Sequence, residues 1–173
     1  MNPAPVAEAP AMSAHAFRLE ARLSVRQAQK IDSANLVWIK SAAAQTINIT
    51  GPLGVQVAKI SQSSGDAAML SRGDAAPIER AETVDALVTQ ALGVTIRVER
   101  IIDWVQLIGL PANGETVTLK IDGTDWQVSA ETTQQLRGQI IAQRLVARSG
   151  DTSIKLFIDD WQNLHAPQEH VPK

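Results

Sequence analysis

The chain has 173 residues, 45% hydrophobic and 20% charged, which is enough for one globular domain with a sizeable core and excludes a disordered or collagen-like chain. A formal net charge of −2 and a sequence pI near 5.9 give no global attraction to nucleic acid or anionic lipid, leaving only a local patch as a route to either. The absence of cysteine removes disulfides, thiolate zinc sites, iron–sulfur clusters and a cysteine nucleophile together.

Residues 1–14 carry Pro3, Pro5 and Pro10 with no periodicity and read as an extended tether. From Phe17 the pattern alternates: Phe17, Leu19, Ala21, Leu23 and Val25 share one face, and Arg18, Glu20, Arg22, Ser24 and Arg26 the other. That predicts a half-buried strand of about nine residues. An apolar run over 36–39 follows, then Ile47 and Ile49 alternate with Thr46, Asn48 and Thr50, and Val55 and Val57 resume the alternation after Gly51-Pro52-Leu53-Gly54. Residues 62–65 read as a turn and 67–70 as a short strand. The uncharged stretch 41–58 approaches the roughly 18 residues of a membrane span, but Gln45, Asn48, Pro52 and Gln56 interrupt it.

The period then changes. Val84, Leu87, Val88 and Ala91 recur at helical spacing, with Thr83 as cap and Gly93 past the end. Val98, Ile101, Ile102 and Val105, extended by Trp104 and Ile108, form a second stripe that stops at Gly109-Leu110-Pro111. Strands return at Val117, Leu119 and Ile121, and Asp122-Gly123 is a hairpin signal leading to Trp126 and Val128. Two more strands are predicted over 138–148 and 153–158. Helices in a block between antiparallel strands indicate an α+β fold. A strongly curved sheet covered by the helices satisfies every apolar face, and small aliphatic side chains leave room for an apolar ligand if they do not fill the concave side.

No catalytic or metal-binding motif stands out. His15, His165 and His170 lie in the tether and the C-terminal tail without a partner at metal-ligand spacing, and no G-x-S-x-G, P-loop or dinucleotide fingerprint is present. Asp159 and Asp160 are strand neighbours on opposite faces and do not converge as acid and base. Arg18, Arg22 and Arg26 form a row broken by Glu20 and lack interleaved aromatics, so they read as a solvated outer face. In Gly51-Pro52-Leu53-Gly54, proline sets the bend and the glycines give no cover, so Leu53 is expected to project from the tip. It is either an incidental turn residue or a probe for a partner or membrane, where burial is worth roughly 1.5–3 kcal/mol.

Taken in order, Phe17-Arg18-Leu19-Glu20-Ala21-Arg22, the Trp38 strand, Gly51-Pro52-Leu53-Gly54, Trp104 through Gly109-Leu110-Pro111, Gly123-Thr124-Asp125-Trp126 and Ile154-Lys155-Leu156-Phe157-Ile158-Asp159-Asp160-Trp161 resemble the LolB family of outer-membrane lipoprotein receptors. The resemblance implies an incomplete β-barrel with a helical lid over a hydrophobic cavity, as a single domain over 15–162 followed by a tail over 163–173. It implies a non-enzymatic protein without cofactor or metal that accepts acylated lipoproteins from a LolA-type carrier and inserts them into the inner leaflet of the outer membrane. Its partners are then the carrier, the acyl chains and outer-membrane phospholipid, with no nucleic acid, and it is expected to be a monomer.

By the same resemblance Gly51, Pro52, Leu53 and Gly54 form a membrane-insertion loop with Leu53 as the protruding residue. Leu19, Leu23, Leu36, Trp38, Ile47, Ile49, Leu119 and Ile140 are candidates for the acyl cavity, and Val88, Ile101, Trp104 and Val105 for the lid. Two departures are the missing lipidation cysteine and signal peptide, from which the expectation is a soluble derivative of a protein that is lipid-anchored at the periplasmic face of the outer membrane; an anchorless homologue is the other reading. A third is Ala21, where the family commonly has glycine before the arginine of the first strand. The alternatives are a soluble LolA-like carrier, a lipid-binding or interaction module with a filled core, and, more distantly, a hydrolase.

Overall fold

The computed structural model describes residues 16–51, 56–72, 77–92 and 97–164. The tether, the C-terminal tail beyond Leu164, the three histidines, Val55, Gly93 and Pro52-Leu53-Gly54 lie outside them. Six strands come first: β1 (Phe17–Gln27), β2 (Lys30–Lys40), β3 (Ala44–Thr50), β4 (Gln56–Ser63), β5 (Ala68–Ser71) and β6 (Glu79–Ala81). Two helices follow, α1 (Val84–Leu92) and α2 (Val98–Val105). Four more strands close the described chain: β7 (Val117–Ile121), β8 (Thr124–Leu136), β9 (Gln139–Ser149) and β10 (Thr152–Asn163).

All ten strands form one antiparallel sheet in the order β6-β5-β4-β3-β2-β1-β10-β9-β8-β7. The first and last strands of the chain's sheet-forming blocks, β1 and β10, meet at its centre, and β6 and β7 are left as edges. This is the incomplete barrel of an α+β fold. The alternation of β1 explains the layering: Phe17, Leu19, Ala21, Leu23 and Val25 are all buried, while the residues between them are not. Each of those five meets a side chain of the same face on both neighbours, as in Leu36–Ala21–Ile158. A one-residue slip of either neighbour would turn its whole apolar set to water, so burial holds the register.

The helices cover the inner face. Ala86 N–H donates to Thr83 Oγ1 at 3.2 Å, the side-chain cap that threonine supplies at a helix start. The second helix has Arg97 at its N-cap, whose side chain makes no cap bond. Its first N–H, from Val98, donates instead to Asp85 Oδ1 of α1 at 2.9 Å. Arg97 pairs with Asp85 at 3.5 Å and with Asp122 of the β7–β8 turn at 3.1 Å. One carboxylate thus caps α2 and ties it to α1, satisfying a helix-end donor that would otherwise lack a partner. The helix α1 packs on β4, β5 and β6, and α2 on β9.

Three sequence expectations are corrected. Val57 is not on the buried face of β4 but 48% exposed, and Ala58 and Ile60 are buried instead. The cause is a bulge: Ile49 pairs with Ala58 and Thr50 with Gln56, leaving Val57 as the extra residue that shifts the phase of the strand. The strand begun at Trp126 runs to Leu136 through a polar second half, and it turns into β9 through Arg137 and Gly138, both at positive φ, as a two-residue hairpin requires. Finally, β10 continues to Asn163, where Leu164 N–H donates to Ala16 O at 3.1 Å. The edge strand β6 was not foreseen, since three residues are too few to show a period.

Candidate functional site: an apolar cavity under two helices

The inner face of the central strands and the undersides of both helices enclose a cavity of about 40 Å³. From the sheet, Leu19, Leu23 and Val25 of β1 line it with Leu36 and Trp38 of β2 and Ile47 and Ile49 of β3. On the other side of β1 the wall is Ile154 and Leu156 of β10, and the roof is Val88 of α1 with Val98 and Ile101 of α2. Every lining side chain except Trp38 is aliphatic. Trp38 directs its one polar group elsewhere, its Nε1–H donating to Gln45 Oε1 at 3.1 Å, so no polar group faces the void. A dry apolar void of roughly 150 Å³ is what accommodates a benzene ring, so an acyl chain enters this site only if the roof moves.

Of the twelve residues singled out in the sequence for cavity and lid, eight line this void: Leu19, Leu23, Leu36, Trp38, Ile47, Ile49, Val88 and Ile101. Four are elsewhere. Trp104 and Val105 are buried in the main core and Leu119 is half-buried on β7. Ile140 is 58% exposed, because its neighbour Ile141 takes the inward position on β9. Val25, Val98, Ile154 and Leu156 line the cavity without having been singled out. Their signal was parity: Val25 shares the phase of Leu19 and Leu23, and β10 lies beside β1 with Leu23 opposite Leu156 and Val25 opposite Ile154. That a strand ending at Gln27 and one beginning at Thr152 are neighbours is what a reading along the chain could not supply.

One end of the interior is closed by aromatics. Phe17 stacks on Trp161 at 5.1 Å between centroids and meets Trp38 edge-on at 5.4 Å, arrangements that aromatic quadrupoles favour. Trp161 Nε1–H donates to Gln139 Oε1 at 3.2 Å. Beside this cluster lies a polar pocket of about 300 Å³ that shares Trp38 and Val98 with the cavity and carries Lys40, Gln62 and Glu82 at its edge. At the other end β3 stops at Thr50, and Gly51 is the described part of the expected insertion loop. The arginine row lies on the outer face. Arg18 pairs with Glu20, Arg22 pairs with Asp159 at 3.0 Å and sits 4.3 Å over the Phe157 ring, and Arg26 Nε–H donates to Ala28 O at 3.4 Å. Asp160 pairs with Arg137 at 3.1 Å, so the two adjacent carboxylates serve separate ion pairs. Among the described residues no group of three or more His, Cys, Asp or Glu is placed to hold a metal, and no helix is long and apolar enough to cross a membrane.

Solved structures share this fold at low sequence identity. The crystal structure of a LolA superfamily protein from Nitrosomonas europaea superposes with a TM-score of 0.55 at 10% identity, covering 94% of each chain. That of a DUF1329 family protein from Desulfovibrio piger gives 0.58 at 8% identity, covering 95% of each. Within that fold the sequence is more specific: the family model for the outer membrane lipoprotein LolB matches residues 15–161, and the chain belongs to that family. Among its relatives, the outer-membrane lipoprotein LolB of Pseudomonas paraeruginosa is 25% identical over 154 residues, 85% of this chain and 74% of that one. The LolB of Thiobacillus denitrificans is 28% identical over 165 residues, 93% and 88% of the two chains.

Proposed function

We propose that this protein receives acylated lipoproteins from a soluble LolA-type carrier and releases their acyl chains into the inner leaflet of the outer membrane, without chemical change to the cargo. The observation that carries this reading is the void itself, a wholly apolar cavity roofed by two short helices in a chain of the LolB family. The family supports a lipoprotein-sorting role, and the apolar wall supports acyl chains as the part of the cargo that is held. Burial stabilises an acyl chain by about 0.8 kcal/mol per methylene, so a chain of ordinary length cannot pass through water at a useful rate. It has to move from one apolar enclosure to another and then into lipid.

The roof is suited to opening. Its helices have nine and eight residues, lengths at which an isolated helix is unstable in water and depends on what it packs against. Lifting them exposes Val88, Val98 and Ile101 to water, a cost that incoming acyl chains offset by covering the same surface. The loop Gly51-Pro52-Leu53-Gly54 is assigned to the final step, with Leu53 entering the bilayer. The native site of action is the periplasmic face of the outer membrane, reached by a lipid anchor, and the working unit is a monomer whose folded domain spans about 15–162.

The test is transfer. LolA loaded with a labelled triacylated lipoprotein is mixed with this protein and liposomes, and the label is followed into the liposomes. Delivery should require the protein and fall at least tenfold with Leu53→Glu, while that variant still takes the label from the carrier. Undiminished delivery by Leu53→Glu refutes the loop assignment, and failure of the wild-type protein to take cargo refutes the receptor reading. The small volume of the void, about 40 Å³, is also compatible with one competing account, a module with a filled core. That account requires that a fluorescent fatty acid show no saturable binding.

A further inference from the structure

We infer that the outer face of β1, β10 and β9 is a docking surface for a bilayer bearing anionic phospholipid headgroups. The inference rests on the membrane-delivery reading above, but on different residues. The register builds the surface in three rows. Arg26 lies opposite Ser153, which lies opposite Arg148; two residues further along, Ser24 faces Lys155 and Lys155 faces Val146; two further again, Arg22 faces Phe157 and Phe157 faces Arg144. Each row spans about 10 Å across the three strands and the rows are about 7 Å apart. The five cations are all exposed. Val146 shares their face and is 1% exposed.

Charge is unevenly compensated. Arg22 is paired with Asp159 and Arg144 with Glu131 at 3.9 Å, whereas Arg26, Arg148 and Lys155 have no ion pair among the described residues. A groove of about 550 Å³ runs past Arg22, Arg144 and Lys155, and another of about 390 Å³ past Arg26, Arg148 and Lys155, with Asp151 its only acid. They share Ser24 and Lys155. Ser24 and Ser33 line the first among apolar side chains, and Ser24, Thr152 and Ser153 line the second, so hydroxyl donors stand near the cations, chemistry that suits phosphate.

A bilayer fits this layout better than a single small anion or an acidic peptide. The cations are spread over two dimensions instead of converging on one point, and they form a positive field on a chain whose formal net charge is −2. Of the acids on this face, Asp159 and Glu131 are held by Arg22 and Arg144 and Asp151 lines the second groove, while Glu20 and Asp160, which lie opposite one another, are displaced toward the aromatic end, so the field also has a direction. Its basic end is the end at which β3 stops: Thr50 lies opposite Asn35, and Asn35 opposite Arg22. Ile31, exposed and opposite Arg26, gives the rim an apolar side chain at the depth of the headgroups. The loop proposed to enter lipid and the rows proposed to touch its surface thus leave from the same end of the barrel.

The experiment is co-sedimentation of the full chain with phosphatidylcholine vesicles containing 30% phosphatidylglycerol and with pure phosphatidylcholine vesicles. The triple variant Arg26→Gln/Arg148→Gln/Lys155→Gln is compared with Lys59→Gln/Arg80→Gln/Arg100→Gln, which changes net charge equally elsewhere. Each cation near an anionic surface is worth on the order of a fivefold factor, so the first variant should lose roughly 100-fold in partitioning to anionic vesicles and the second far less. Ser24→Glu, which sets a carboxylate between the two grooves, should also lower it. The inference is overturned if the two triple variants fall alike, if the wild-type protein does not distinguish the two vesicles, or if millimolar inorganic phosphate or a soluble polyglutamate displaces it as well as vesicles do. Fluorescent fatty-acid binding by the same proteins separates the two readings: it should be unchanged in the triple variant. Its absence from the wild-type protein would remove the cargo reading and leave the vesicle result standing.

Discussion

The two ends of the barrel interior are built from different chemistry. At one end Phe17, Trp38 and Trp161 are stacked and edge-packed, and two of the three have indole N–H groups bound to glutamine side chains. Toward the other, Leu23, Val25, Ile49, Ile154 and the lid residues meet without filling the space. An aromatic cluster with directional hydrogen bonds has one good arrangement, whereas aliphatic side chains separated by a void have many of similar energy. The first end is suited to holding β1, β2 and β10 together, and the second to changing volume when cargo enters.

The largest effect that would test this contrast is at Trp161. Trp161→Ala removes a side chain that is 2% exposed, breaks the stack with Phe17 and leaves Gln139 without its donor. It should cost about 4 kcal/mol, read as a lowered urea midpoint, with fatty-acid probe affinity within a factor of two among the molecules that remain folded. A loss of probe affinity as large as the loss of stability would mean that the aromatic end is part of the binding site. The next effect has the opposite signature. Leu23→Ala should cost about 2 kcal/mol, at the low end for such truncations because part of its side chain already faces a void and lacks contacts to lose. The enlarged cavity should bind the probe more tightly. Weaker binding would show that the aliphatic end needs its shape, and the contrast between the ends would then be one of degree.

Much of this arrangement was legible along the chain, for an identifiable reason. In β1 the inner face is uniformly apolar and the outer polar or charged, so period-two alternation specified both the strand and its buried side, and the same holds for Ile47 and Ile49. Thr83 followed by a 3.6-residue apolar stripe located α1, and Asp122-Gly123 located a hairpin that the structure forms with both residues at positive φ. What was not legible depends on pairing. The bulge that makes Val57 an extra residue is a relation between β3 and β4, and nothing within β4 announces it. Asp85 is an ordinary first-turn acid in α1 until α2 folds back so that Val98 N–H reaches it. The cavity wall from β10 is invisible until that strand is known to lie beside β1.

Ile140 and Ile141 show the same limit at a single step of the chain, and they give the smallest expected effect. The sequence Gln139-Ile140-Ile141-Ala142 offers two adjacent isoleucines, and an alternating strand can bury only one on a given face. Phase counted back by twos from Leu145 and Ala147 favours Ile141, but the β8–β9 ladder has register shifts near Thr132 and Thr133, each of which can reverse a phase, so the count alone does not decide. The partner strand settles it: Trp161 Nε1–H binds Gln139 Oε1, which sets residue 139 and hence 141 toward the interior, and Ile141 is 0% exposed. Ile140→Ser should therefore change stability by no more than about 0.5 kcal/mol, as exposed substitutions usually do. Ile141→Ser, by contrast, should cost about 3 kcal/mol or more for the lost burial and a buried hydroxyl. Equal losses in parallel denaturant titrations would mean that β9 meets β8 one residue out of this register, and Ile140 would return to the interior as a cavity residue.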